Sequence, residues 1–489
     1  MAKNVTTLFV GGGTSGRFGA CFLQALGGHP IIFEKHSLGG ECHRCRCAFE
    51  NFIFDQSSMA AMLKLYSGKS WYPKFDLSNI SMARATETYR RVGAPSFEEI
   101  MEFQTTKQLN VEVIWGDAKI LNPKTIAIDG QKHEGDALVI ATGSRPTIPN
   151  LPGVELKGVM TYLDHATMTT DTKQMVVIGG GRIGVGKAAM FAPFGTKVTI
   201  LEKYTILPEW DEDVRTFIKQ HLSRLGVTLI EGADVKEFKG GSNVEAVVAD
   251  IGGGRKEFPC DSVMFAVGLT PNSEIAKPLG VKIGKRNEIV VDSRFRTSVP
   301  NVYAVGDVVG PPYDMAVARK SGMIAAKNIM GADTEMDYSY IPEHVYLSPL
   351  EACFVGLTEA EARKKYKHIV KIQLPVGPKV ELEPEQFKAG YPGSALPVEG
   401  RMHTINQLYY GRQMQGMLKA LIDADSRRYV GFHHVGYGAK VAFQYLSYLL
   451  KVGWTVDQMA DLNEIFLNAE HFIQLSRLIA GYPELVNLA

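Results

Sequence analysis

The chain has 489 residues, 45% apolar and 21% charged, with 53 Lys and Arg against 52 Asp and Glu. This composition excludes disordered, collagen-like and disulfide-framed chains, and the length accommodates roughly three domains. A net charge of +1 gives no electrostatic case for nucleic acid or an acidic membrane as partner. No run approaches the ~18 apolar residues of a membrane helix. The N-terminal apolar stretch ends at Gly11-Gly12-Gly13, too early for a leader peptide, so a cytoplasmic protein is expected.

In chain order, a strand is expected at Val5–Val10, a glycine turn at Gly11–Gly16, a helix at Arg17–Leu26 and a second strand at Pro30–Glu34. The pattern recurs about 168 positions later, with Gln174–Ile178, Gly179–Gly184, a helix to Phe194 and Lys197–Glu202. Two such βαβ units predict two doubly wound dinucleotide-binding domains. Asp136–Pro152 reads as a buried strand and a Pro-rich connector, echoed at Ser262–Pro271. Beyond Pro342 the glycine fingerprints cease. A strand at Tyr429–Val435 and amphipathic helices at Ala439–Val452 and His471–Ala480 predict a C-terminal α+β domain.

Gly11, Gly13 and Gly16, followed by Glu34, form the first fingerprint, and Gly179, Gly181 and Gly184, followed by Glu202, the second. The glycines let a pyrophosphate approach a helix N-terminus, and the acid holds a ribose hydroxyl. Each alone serves plain packing as well; together with the strand, helix and acid they point to cofactors. Three cysteines, Cys42, Cys45 and Cys47, crowd the loop after Glu34. Their cationic neighbours Arg44 and Arg46 favour the thiolate form. A metal site built on them would need a second Cys or His pair at suitable spacing, and none stands there, so no metal is expected. Cys45 reads as a bystander, and Cys21, Cys260 and Cys353 as core residues.

These motifs resemble the FAD-dependent pyridine nucleotide–disulfide oxidoreductases. The resemblance implies that Asp307, in Val302–Asp307, holds the ribityl part of FAD and that Gly143, in Ala141-Thr142-Gly143, closes the first part of that site. It assigns the second fingerprint to NAD(P)H and makes Cys42 and Cys47 a redox pair. The domains would be 1–150 with 273–340 for FAD, 151–272 for NAD(P), and 341–489 for dimerisation.

Within that superfamily, Phe466 and His471 replace the usual acid–base segment, and Asn51 replaces the Lys that normally follows the second cysteine. This is not the pattern of a glutathione, dihydrolipoamide or mercuric reductase. It is similar to the 2-ketopropyl coenzyme M oxidoreductase/carboxylases over Gly11–Gly19, Ser67–Pro73, Met101–Asn110, Tyr303–Met330 and most of His433–Ala480. The resemblance implies a homodimer with its site at the subunit interface, acting on a sulfonated thioether and carbon dioxide. Arg17 and Arg319 would grip the sulfonate, and Met315, Met101 and Gln474 would line the substrate site. Cys42 would cleave the thioether, Cys47 would face the flavin, and Phe466 would withhold a proton from the enolate while His471 stands further back.

Three departures qualify the match. Glu98 replaces the histidine near the carbon dioxide site, Arg44 and Cys45 are new to the cysteine loop, and Glu202 stands where an NADPH enzyme prefers a cation. Adjacent strand residues point to opposite sides, so Lys203 is expected to face away from Glu202. NADH is therefore expected over NADPH. The alternative enzyme is a non-carboxylating reductase of another sulfonated thioether or disulfide; the non-enzymatic one is a thiol redox sensor.

Overall fold

The computed structural model describes residues 5–68, 73–376, 416–463 and 471–481. Leu8, Phe9 and Val10 are buried, as are Met175 to Ile178, and strands buried on both faces belong to parallel sheets with helices on either side. Each run forms the centre of one. The first sheet is parallel and five-stranded, in the order Val302–Ala304, Ala137–Ile140, Thr6–Val10, His29–Glu34, Glu112–Trp115. Its edge strand Val302–Ala304 comes from beyond residue 300, so this N-terminal sheet is assembled from two separated stretches. The second sheet is also parallel, in the order Thr228–Glu231, Lys197–Glu202, Gln174–Ile178, Ser262–Phe265, Val159–Thr161. Antiparallel meanders over 119–134 and 233–259 attach to these sheets. A third, antiparallel sheet in the order Glu343–Leu347, Leu350–Gly356, Arg428–Gly436, Gly416–Asp423, Ile369–Val376 packs on the Ala439–Val452 helix and makes the C-terminal α+β domain.

Both fingerprint helices start earlier than the glycine pattern indicates. They run Thr14–Ala25 and Arg182–Phe191, capped by extended Gly13 and Gly181. Gly16 and Gly184 therefore lie inside the first helical turn rather than in a loop. A Cβ on Gly16 would stand 2.0 Å from the Gly11 carbonyl oxygen, and one on Gly184 1.9 Å from that of Gly179. The third glycine is required for helix-on-strand packing.

A buried charge cluster fastens the start of the Glu212–Arg224 helix to the C-terminal sheet. Lys419, 1% exposed, donates to Asp213 (2.9 Å) and Glu359 (2.9 Å) and lies 3.1 Å from Asp211, which also meets His433 at 3.1 Å. Among the described residues no helix is long and apolar enough to cross a membrane.

Candidate active site

The carboxyl ends of both parallel sheets open onto one continuous cavity of about 2200 Å³, as the topological switch point of such sheets requires. At one end, Glu34 accepts from the Gly12 amide at 2.6 Å with one oxygen and from the Lys35 and His36 amides with the other. At the opposite end the arrangement repeats: Glu202 accepts from Gly180 at 2.6 Å and from Tyr204 at 2.8 Å. Gly13 and Gly181 line the cavity, and a Cβ on either would project into open space. Each fingerprint thus offers backbone amides, a helix N-terminus and a carboxylate around a cradle that a side chain would fill, which fits a dinucleotide pyrophosphate and ribose.

Gly143 and Asp307 line the first half of the same cavity. Asp307 accepts from Arg46 at 2.9 Å and from Ser144 at 2.8 Å, and the Arg46 guanidinium lies 5.7 Å from the Tyr162 ring centre. Burial opposes the charge on Arg46, but the Asp307 carboxylate more than restores it and holds its pKa above the usual value. The residues fit FAD in this half and a nicotinamide dinucleotide in the other.

Cys42 lies on the short Glu41–Arg44 helix and Cys47 opens the Cys47–Tyr66 helix; both sulfurs are free thiols lining the cavity. A hydrogen bond from Cys47 pulls the Cys42 thiol from 9.0 down to about 7, against burial, with help from Thr14, Arg319 and Arg46. Cys47 is pushed well above the ordinary range because it spends its proton on that bond and is buried. Arg46 contributes as the sequence indicates. Arg44 is exposed and has no resolved part in lowering Cys42; the partner thiol does most of the work. Cys45 points into the core, where burial pushes its thiol up to about 11, so it is chemically quiet. Cys21 is half-buried and packs against the edge of the core cluster that includes Phe9 and Leu23.

Around Cys42 the structure gathers residues far apart in the chain. The Met315 sulfur is 3.6 Å from the Cys42 sulfur. Arg319 lines the cavity one helical turn on, its Nε buried with no hydrogen-bond partner among the described residues. Arg17 lies behind it, donating to Thr105 (2.8 Å) and Gln104 (2.9 Å) without reaching the cavity wall. The two guanidiniums share the Phe18 ring, at 5.9 Å for Arg17 and 4.8 Å for Arg319. The His43 ring stacks on Phe97 at 5.4 Å; burial and then the repulsion of Arg17 and Arg319 lower its pKa, leaving it neutral. A wall carrying the Arg319 guanidinium, with that of Arg17 behind it, beside a thiolate-prone sulfur suits an anionic, sulfur-containing substrate.

Met101 stands off the cavity. Its half-buried side chain packs against the core cluster that includes Phe9 and Leu23, and its carbonyl accepts from Thr105. Phe466 lies outside the described residues. His471 opens the His471–Gly481 helix that also carries Gln474, and both of those side chains lie outside the described set. Asn51 accepts from Lys440 at 3.1 Å, so a lysine from the C-terminal domain stands beside the position where a local lysine was missed. Sequence reasoning passed over His43, Thr14, Phe97 and Gln104; only His43 carried a signal, by its place in the cysteine loop.

The expectation about Lys203 is overturned. The strand ends at Glu202, so strand alternation does not govern the next residue, and both Glu202 and Lys203 line the cavity.

Residues 5–325 match the pyridine nucleotide-disulphide oxidoreductase family, and residues 341–467 match its dimerisation domain. A mercuric reductase of Lysinibacillus sphaericus is 24% identical over 482 residues, covering 97% of this chain and 82% of that protein. A dihydrolipoyl dehydrogenase of Geobacillus stearothermophilus is 27% identical over 470 residues, covering 94% and 92%. Among solved structures, the HOCl-induced flavoprotein disulfide reductase RclA of Escherichia coli superposes with a TM-score of 0.79 at 22% identity, covering 97% of this chain and 100% of that one. At that identity the likeness is one of fold.

Proposed function

Since the chain belongs to the pyridine nucleotide-disulphide oxidoreductase family, whose members depend on FAD and NAD(P)H, we propose that it cleaves the thioether of 2-ketopropyl coenzyme M, or a close sulfonated analogue, and carboxylates the product. The observation that carries this reading is the anion-receptive wall of Arg319, with Arg17 behind it, on the side of Cys42 that meets Met315. When bound, nicotinamide and flavin supply two electrons to the Cys42–Cys47 disulfide.

The chain's own residues do the rest. Arg319 meets the sulfonate, and Arg17 adds a second positive charge from behind Phe18. The Cys42 thiolate attacks the thioether sulfur, forming an S–S bond as the C–S bond breaks. The departing electron pair stays on carbon as an enolate. Cys47 then attacks the Cys42 sulfur, releases the coenzyme M thiolate and regenerates the disulfide. The enolate must meet carbon dioxide before a proton. Phe466 offers none, and the neutral His43 is a poor donor. The dimerisation domain fits a homodimer in which the Phe466–His471 segment completes the site.

Glu98, where the resemblance calls for a histidine, favours a second reading: the same cleavage with protonation of the enolate. Glu202, whose carboxylate repels a 2′-phosphate, supports NADH over NADPH as donor. The test of the thiol assignment is Cys42→Ala, which should consume no thioether while NADH still bleaches the protein's yellow colour. Cleavage at the wild-type rate would refute it.

A further inference from the structure

Lys203, Asp234 and Lys236 converge past the strand that ends at Glu202, beside the end of the cavity suited to the adenosine ribose of a nicotinamide dinucleotide. The Lys203 ammonium lies 3.1 Å from one oxygen of Asp234, and Lys236 occupies the other at 2.6 Å. Lys203, Asp234 and Glu202 all line the cavity, as does Tyr204, which is 75% exposed. Lys236 has a second acid, Asp250, at 3.9 Å, and Asp250 in turn holds Arg255 at 3.1 Å. Among the described residues Asp234 is the only acid paired with Lys203.

Lys203 is the cation best placed for the extra phosphate of a phosphorylated dinucleotide, since it directly follows the acid suited to a ribose hydroxyl. The Asp234 carboxylate already neutralises it and would itself repel a phosphate dianion. Donating a hydrogen bond to Asp234 raises the Lys203 pKa, and accepting from Lys236 and Lys203 lowers that of Asp234, so both stay charged at neutral pH.

We infer that Asp234 is a coenzyme-specificity residue, which tethers Lys203 so that the pocket rejects a 2′-phosphate. The inference deepens, and rests on, the proposed preference for NADH. Discrimination then has two parts: repulsion by Glu202 and Asp234, and withdrawal of a cation that would otherwise serve the phosphate. Asp234 is a positioning residue for Lys203, on the strand Ala233–Gly240, and no step of thiol chemistry passes through it.

Calorimetric binding of adenosine 2′,5′-bisphosphate and 5′-AMP to the whole protein tests this without turnover. Asp234→Asn keeps the side-chain shape on an exposed surface and frees Lys203. The bisphosphate should bind about tenfold more tightly, the lower end of what a charge-assisted hydrogen bond contributes, while 5′-AMP changes less than about twofold. Adding Lys203→Met to Asp234→Asn should erase the gain, whereas adding Lys236→Met, which removes the same charge, should leave most of it. An unchanged bisphosphate affinity in Asp234→Asn, or a gain lost with Lys236 and kept without Lys203, would overturn the inference. The wild-type ratio of the two affinities tests the NADH reading separately, because a wild type that already favours the bisphosphate defeats that reading whatever Asp234→Asn does.

Discussion

Replacing Cys47 by Ala removes the hydrogen bond that contributes most to lowering the Cys42 thiol to about 7. With that donor gone, burial still opposes the thiolate, while Thr14, Arg319 and Arg46 still favour it. The midpoint should rise toward 9.0, the ordinary thiol value. The whole interval is worth at most about 2.7 kcal/mol, at about 1.36 kcal/mol per tenfold. At pH 7 the thiolate fraction would fall from about one half to as little as about 1%. A more basic thiolate is also a better nucleophile, which recovers about 6- to 10-fold. The net result is a reaction about 5- to 8-fold slower at pH 7, yet faster than wild type once pH exceeds the new midpoint. The assay is the pH profile of attack on a small disulfide probe by the reduced protein, with mass spectrometry locating the adduct on Cys42. Crossing profiles are expected. An inflection that stays near 7 in Cys47→Ala would show that the partner thiol does not set the reactivity of Cys42.

Arg319→Ala should weaken sulfonated substrates about 10- to 150-fold and neutral thioethers far less, measured as kcat/KM. Arg17→Ala should cost less, because Arg17 is already engaged with Thr105 and Gln104. Gly16→Ala should lower the melting temperature sharply, as its Cβ meets the Gly11 carbonyl, whereas Gly13→Ala should fold normally but retain less flavin by absorbance. Lys419→Met leaves Asp211, Asp213 and Glu359 without their shared cation and should cost about 3–5 kcal/mol in urea unfolding. Phe466→His should divert product from acetoacetate to acetone in a gas-chromatographic assay.

The two nucleotide halves were legible because their signals are local. A glycine turn and an acid 22 positions on report one hydrogen bond, Gly12 to Glu34 or Gly180 to Glu202, and the chain carries that arrangement twice. The helix starts were misplaced because three small residues read as a loop, although in the fold Gly16 is helical and small for packing. The grouping of Met315 and Arg319 beside Cys42 was legible only by resemblance. Met315 reaches Cys42 across 273 positions and Arg46 reaches Asp307 across 261, and no periodicity reports such pairs. The tether between Lys203 and Asp234 was hidden for another reason: period-two alternation was applied to a residue just beyond the end of its strand.

The most direct test of the account is product analysis of the reduced holoenzyme given 2-ketopropyl coenzyme M, NADH and isotopically labelled bicarbonate. Consumption of the thioether, release of coenzyme M and acetoacetate carrying the label in its carboxyl group are expected. Unlabelled acetone as the sole product would contradict carboxylation, and a thioether left intact would contradict the proposed function altogether.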